Sequence, residues 1–142
     1  PLLDALERKT AGCIRGTLSN ASHLSQTLLL KSMQDDNAAA EKRRAFEILK
    51  ARARRVKAVS TDAAYASAWE VYPFNSGYFM CIRLKTVNAE ALRVHLLDRY
   101  GVGLIALGEH NLRIAFSCTE ENDVKTLFDT IFEGVRDLEK NR

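Results

Sequence analysis

The sequence lacks the short motifs that mark the commonest cofactor and metal sites. It contains no glycine-rich phosphate loop, and Cys13, Cys81 and Cys118 lie too far apart for a CxxC pair or a cysteine-based metal site. No apolar run approaches the length of a membrane span, and no signal peptide is visible. Isolated thiols of this kind are typical of reduced, cytosolic proteins. We therefore expect a cytoplasmic protein with no metal site and no membrane partner.

Reactive side chains are also scarce. His23, His95 and His110 are widely separated, and no order of serine, histidine and aspartate indicates a catalytic triad. We interpret His95 as an ordinary packing or surface residue of a helix. The chain thus has arginines that can bind anions but no evident nucleophile, base or metal-ligand set. Such a chain is either a binding module or one part of an enzyme.

The chain is long and apolar enough to form a core. Its 142 residues are 46% hydrophobic and carry a formal net charge of +3, which is too small to indicate a nucleic-acid partner by itself. One predicted helix concentrates the basic residues Lys42, Arg43, Arg44, Lys50, Arg52, Arg54, Arg55 and Lys57. We interpret this run as the solvated face of the helix, because no recognised nucleic-acid motif accompanies it.

Helices fill the first part of the predicted structure. We expect a short helix over residues 2–11, a turn over 12–16, a helix over 23–33 and a long helix over 38–60. The helix over 23–33 is expected to turn Leu24, Leu28 and Leu29 inward. The long helix has a narrow apolar stripe at spacings of three and four residues, formed by Phe46, Leu49, Ala53 and Val56.

Short strands and helices alternate in the remainder. Asn88 and Gly101 are suited to begin and end a helix, and Ser117 with Glu120 has the spacing of a capping box. The predicted order is strand, strand, helix, strand, strand, helix, at residues 69–72, 78–84, 89–100, 103–107, 111–117 and 120–140. This order indicates an α+β fold (an α/β sandwich), with a small mixed sheet covered by helices and preceded by a long connecting helix.

The most informative residue is Arg113, in the last predicted strand. Leu112, Ile114 and Phe116 alternate with Arg113, Ala115 and Ser117, which is the period of a half-buried strand. The guanidinium therefore lies on the face opposite the large apolar side chains, between small neighbours that leave it room. Because arginine binds carboxylates in a bidentate manner, Arg113 is a candidate anion receptor. A surface arginine paired with a nearby glutamate is the alternative interpretation.

Three segments in this order carry a resemblance to a known family. The segments are Asn75–Phe79 before a strand, Leu96–Gly103 between a helix and a strand, and Leu112–Ser117 followed by a helix. Together they resemble the C-terminal small domain of a fold-type I pyridoxal-phosphate-dependent aminotransferase of the aspartate and aromatic aminotransferase kind. In that family an arginine in such a strand binds the substrate's α-carboxylate, so the resemblance implies this role for Arg113.

A fourth segment extends the resemblance towards the start of the chain. Ile14-Arg15-Gly16-Thr17-Leu18-Ser19-Asn20 is similar to the family segment that reads Ile-Arg-x-x-Tyr-Ser-Asn-Pro-Pro. By this resemblance Arg15 binds the side-chain carboxylate of a substrate across a dimer interface. The resemblance likewise implies that Ser19 and Asn20 are interface residues, near the cofactor phosphate of the neighbouring subunit. Leu18 and Ala21-Ser22 depart from the family pattern.

The resemblance implies how the chain is organised and what it lacks. Residues 1–37 correspond to the end of a large domain and its link, and residues 38–142 to the connecting helix and the small domain. The family's Schiff-base lysine, its pyridine-binding aspartate and most phosphate ligands lie upstream of the Ile-Arg segment. We therefore expect a fragment that is inactive alone and binds no pyridoxal 5'-phosphate.

The complete protein is expected to be a homodimeric aminotransferase acting on amino acids and 2-oxo acids, with aspartate, tyrosine and phenylalanine as candidate substrates. A stand-alone α+β binding or regulatory module is the alternative, and an in-frame start codon directly before Pro1 would favour it.

Overall fold

A computed structural model describes residues 1–19, 22–75 and 77–140. The chain divides into two compact units, Pro1–Arg43 and Arg44–Arg142, and each is described by itself. None of the helices formed by the described residues combines the length and the apolar character that a bilayer crossing requires.

The first unit contains helix α1, Leu2–Thr17, and helix α2, His23–Gln34. The turn predicted over residues 12–16 is absent, because α1 continues through Gly12 and Gly16. A glycine costs a helix only about 1 kcal/mol relative to alanine, so two of them do not by themselves end it.

Neither α1 nor α2 has a buried residue within the described chain. The expectation that Leu24, Leu28 and Leu29 face inward is therefore wrong for this chain, since all three are exposed. An apolar pattern predicts which face of a helix can be buried. Whether that face is buried depends on a second surface that packs against it.

Helix α3, Ala38–Ser60, has the predicted bounds. Val56 and Val59 are buried, and Ala53 packs against the core, so the C-terminal part of the predicted apolar stripe is confirmed. Phe46, which the stripe places inward, is 59% exposed and borders an open cavity of about 410 Å³ together with Tyr78.

The second unit contains a four-stranded sheet in the order β1-β2-β4-β3. The strands are β1, Trp69–Val71; β2, Met80–Leu84; β3, Ile105–Leu107; and β4, Asn111–Ile114. The sequence predicts a mixed sheet, but every pairing is antiparallel. Strands β2 and β3, which a helix connects, run in the same direction. However, β4 is inserted between them and pairs antiparallel with both.

The helices of the second unit show which local signals are reliable. Helix α4, Ala89–Tyr100, has the predicted bounds: the Asn88 side chain accepts the Glu90 and Ala91 amides, and Gly101 has a φ of +67°. Helix α5, Val124–Lys140, begins later than predicted, because short 3₁₀ turns occupy Phe116–Cys118 and Glu121–Asp123.

One hydrophobic core joins the sheet to α4 and α5. Its fully buried members include Ile82, Leu92, Leu96, Leu112, Ile114, Phe128 and Ile131.

Trp69 and Tyr65 stack in this core at a centroid separation of 4.9 Å, and the Tyr65 hydroxyl donates to Asp129. Hydrogen bonds from Lys125 and Tyr65 hold the pKa of Asp129 below its ordinary value. The α+β class predicted from the sequence is confirmed.

We predict that Gly134→Ala destabilises the second unit. A Cβ at position 134 would lie 2.7 Å from Cδ2 of Leu96 and 3.1 Å from Cδ1 of Leu92, where α5 crosses α4. Forcing an extra carbon into a packed core costs about 1–3 kcal/mol, which exceeds the gain in helix propensity. Denaturant unfolding followed by Trp69 fluorescence measures the change.

Gly103→Ala is the matched control, because nothing lies within 4 Å of a Cβ built at position 103. Its free energy of unfolding should stay within about 0.5 kcal/mol of the parent. Equal stability of the Gly134→Ala variant and the parent would contradict the close α4–α5 contact.

Candidate functional site

Arg113 lies in β4, which is paired on both edges. Its register partners are Cys81 in β2 and Ile105 in β3. The flanking residues Leu112 and Ile114 are 0% exposed, so the opposite face of β4 is sealed against the core. The predicted direction of Arg113, away from the large apolar side chains, is confirmed.

The strand ends earlier than the alternation predicts. β4 stops at Ile114, and Phe116–Cys118 forms a 3₁₀ turn. The alternation of burial nevertheless continues, because Phe116 is buried while Ala115 and Ser117 are only partly covered. Small side chains therefore follow Arg113 on its own face, as the sequence indicates.

The side-chain partner of Arg113 is an aromatic ring. Its Cζ lies over the Phe79 ring, 4.6 Å from the centroid. Within residues 1–19, 22–75 and 77–140, no carboxylate pairs with this guanidinium. The described residues therefore do not form the alternative arrangement, in which a surface arginine pairs with a nearby glutamate. A half-buried cation without an acidic partner keeps its N–H donors available to an incoming anion.

An open cavity of about 420 Å³ lies beside this arrangement. Phe79 and Cys81, which flank Arg113 across the strand pairing, line it together with Tyr72, Pro73, Phe74, Met80, Leu107 and Asn111. The Tyr72 hydroxyl donates to Oδ1 of Asn111 at 3.0 Å. None of the lining residues is charged, so the cavity offers apolar and hydrogen-bonding surface next to the cation.

Arg52 is a structural anchor that the sequence analysis missed. In α3, its Nη1 donates to the Ser117 carbonyl and its Nη2 to Oε1 of Glu120, each at 2.5 Å. The side chain is only 14% exposed. The interpretation of the basic run as one solvated face is therefore wrong at this position. Glu120 binds Arg52 rather than closing a capping box with Ser117.

The anchor of Arg52 holds the segment that follows the Arg113 strand. Ser117 is four positions after Arg113, and its carbonyl accepts a hydrogen bond from the partly buried Arg52 guanidinium. No sequence signal identifies this contact, because the partners are 65 and 68 residues from Arg52. A buried arginine with two acceptors is distinguished from a solvated one only by the fold.

Arg15 and Ser19 are brought together in the first unit. Nη1 of Arg15 donates to the Ser19 carbonyl at 2.9 Å and to its hydroxyl oxygen at 3.3 Å. Ser19 has a φ of +66°, an uncommon conformation for a residue with a Cβ. Asn20, the third residue of this predicted site, lies outside the described residues.

His95 has structural partners, as expected for a packing or surface residue. Nε2 of His95 lies 3.1 Å from Oδ2 of Asp137, which also accepts from the Tyr100 hydroxyl. Hydrogen bonds from Tyr100 and His95 lower the pKa of Asp137.

In the part of the chain that the structure describes, no group of three or more histidine, cysteine, aspartate or glutamate side chains could hold a metal ion.

The sequence matches one known family over most of its length. The family model for aminotransferases of class I and II matches residues 4–131. Among curated proteins, none matches the chain significantly.

Solved structures share the fold. LysN, an α-aminoadipate aminotransferase from Thermus thermophilus complexed with N-(5'-phosphopyridoxyl)-L-leucine, is 16% identical with a TM-score of 0.80. The match covers 98% of this chain and 37% of LysN. An aminotransferase from Anaerococcus prevotii is 17% identical with a TM-score of 0.72, over 95% of this chain and 32% of that one. The chain thus spans about a third of these relatives.

We predict that Arg52→Ala destabilises the second unit. The change removes charge-assisted hydrogen bonds to the Ser117 carbonyl and to Glu120, and leaves the carbonyl without its donor. Because Glu120 is largely exposed, we expect a loss of about 2 kcal/mol rather than the sum of two buried bonds. Denaturant unfolding measures it. Arg55→Ala, an exposed change in the same helix, should cost less than about 0.5 kcal/mol. Similar losses in both variants would refute the anchor.

Proposed function

Because this chain belongs to the aminotransferases of class I and II, we propose that it forms the substrate-carboxylate receptor and closing domain of a longer, pyridoxal-phosphate-dependent aminotransferase. The observation that carries the proposal is Arg113, a half-buried guanidinium on a doubly paired strand with no carboxylate partner among the described residues.

The chemistry of arginine suits this role. A guanidinium offers parallel N–H donors whose spacing matches the two oxygens of a carboxylate, and it stays charged at any physiological pH. Transamination converts an amino acid into a 2-oxo acid, and both carry the same carboxylate. One receptor therefore serves both substrates. A rigid strand holds it in place, which reduces the entropy cost of orienting the substrate.

The organisation of the chain supports a closing domain. We propose that residues 38–142 comprise the connecting helix and the small domain, and that residues 1–37 end a large domain. Arg52 ties α3 to the segment after Arg113, so movement of the helix would carry the carboxylate receptor with it. Closure of such a domain excludes water and places the substrate for reaction.

The cavity beside Arg113 does not have the side chains that a pyridoxal phosphate site needs. The cavity beside Arg113 is lined by no lysine and no carboxylate, so nothing there can bond covalently to pyridoxal phosphate or pair with its ring nitrogen. In the proposed enzyme the cofactor supplies an electron sink, and the residues that hold it lie in another part of the polypeptide. We accordingly propose that these 142 residues alone do not transaminate.

We propose that the complete enzyme is a cytoplasmic homodimer, and the exposed apolar side chains of α2 are consistent with the dimer. Leu24, Leu28 and Leu29 are exposed on a helix with no buried residue, so the rest of the protein or a second subunit would cover them. We propose that Arg15 binds the distal carboxylate of an acidic substrate across the dimer, with Ser19 and Asn20 near the partner's cofactor phosphate. Two arginines for two carboxylates favour aspartate or glutamate over tyrosine or phenylalanine.

We predict that Arg113→Ala in the complete enzyme raises KM for every amino acid by about 100-fold, because a bidentate ionic contact is lost. Arg113→Lys should recover only part of the loss, since a point charge cannot replace the planar fork. Steady-state kinetics with aspartate and with phenylalanine measure both. Arg99→Ala, an exposed change on α4, is the control. An unchanged KM in Arg113→Ala would overturn the proposal.

We predict that Arg15→Ala in the complete enzyme selectively lowers the activity towards acidic substrates. The loss of a partly exposed ionic contact should lower kcat/KM for aspartate about tenfold and leave the value for phenylalanine unchanged. Arg8→Ala, on the same helix, is the control. Equal losses for the two substrates would show that Arg15 does not bind a distal carboxylate, while leaving the role of Arg113 intact.

A further inference from the structure

The strand register brings Phe79 to Arg113. Cys81 is the direct partner of Arg113, and Phe79 is two positions before Cys81, directly ahead of the first residue of β2. Phe79 is therefore a diagonal neighbour of Arg113, at a separation that an aromatic ring and a long side chain can bridge. The Cζ-to-centroid distance of 4.6 Å shows that the two side chains meet.

Core packing does not explain why an aromatic side chain stands at position 79. The side chain is 47% exposed and does not belong to the hydrophobic core. Neighbouring Tyr78 is also exposed, and their rings meet edge to face at 6.5 Å. An exposed ring next to the end of a strand contributes little to folding. The contact of Phe79 with the Arg113 guanidinium is therefore the interaction that sets this side chain apart from other exposed residues.

An aromatic ring orients a cation without competing for its donors. A carboxylate in this place would occupy the N–H groups of Arg113 and would have to be displaced by an incoming acid. The face of a phenyl ring attracts the positive charge through its quadrupole and accepts no conventional hydrogen bond. The guanidinium can then be held in one direction while its N–H groups stay available.

We propose that Phe79 is a positioning residue, whose ring holds the Arg113 guanidinium in the orientation that receives the substrate carboxylate. The inference rests on the proposed carboxylate role of Arg113. No other described side chain is placed to do this, because Ala115 and Ser117 are too short and Cys81 carries no aromatic face. Phe79 acts on the substrate through Arg113.

Phe79→Leu in the complete enzyme tests the inference. Leucine keeps the apolar bulk and removes the aromatic face, so we expect KM for all amino acids to rise about fivefold while kcat changes less than twofold. Phe79→Tyr, which keeps the face, should restore KM. The inhibition constant of propionate, an acid that has no amino group, should rise in parallel with KM. Phe46→Leu, which removes an exposed ring that contacts Lys50 instead of Arg113, is the matched control and should leave all constants unchanged.

A double-mutant cycle separates positioning from an independent contact. If Phe79 acts only through Arg113, Phe79→Leu has no further effect on KM or on propionate binding in an Arg113→Ala background. A fivefold loss in that background, or an unchanged KM in Phe79→Leu alone, overturns the inference. Failure of Arg113→Ala to raise KM overturns the proposed function itself, so the two failures are distinguishable.

Discussion

The alternation of buried and open side chains along β4 is the constraint on which the candidate site depends. Leu112 and Ile114 are completely buried, and β4 is paired with β2 on one edge and with β3 on the other. A slip of one residue would push Arg113 into the core and expose two large apolar side chains. The cost of an unpaired buried charge makes that arrangement inaccessible. The direction of Arg113 is thus enforced by the core rather than by the site.

Two arginines of the same unit show how differently one side chain can be used. Arg52 is 14% exposed, and its two Nη atoms donate to the Ser117 carbonyl and to Glu120, so it serves the fold. Arg113 lies over a ring that accepts no conventional hydrogen bond, so its donors stay available. The first arrangement fixes the segment after β4, and the second leaves a receptor at its side. A rigid support and an unsatisfied cation are together what a binding site requires.

Local signals account for the parts of the fold that the sequence predicts well. Helix α4 has its predicted bounds because Asn88 and Gly101 satisfy the helix ends through their own chemistry. Helix α3 and the inward face of β4 follow from apolar spacing alone. Helix α1 continues through Gly12 and Gly16 because a helical glycine costs little. Two other failures have non-local causes: Phe46 lacks a covering surface among the described residues, and the insertion of β4 between β2 and β3 makes every strand pairing antiparallel. The same distinction applies to the site. The direction of Arg113 can be predicted from its sequence neighbours, whereas the contacts of Arg52 and Phe79 cannot, because their partners are distant in sequence.

The fold by itself does not select a substrate. Chains only 16% and 17% identical to this one share its backbone, so most side chains can change while the architecture persists. In the proposed enzyme Arg113 would bind a group that every amino acid carries, so it could not discriminate among them. Discrimination has to come from residues that meet the variable side chain, of which Arg15 is the candidate here. Arg15 and Arg113 belong to different compact units. In the proposed enzyme the general and the selective parts of substrate recognition would thus come from different units of the chain.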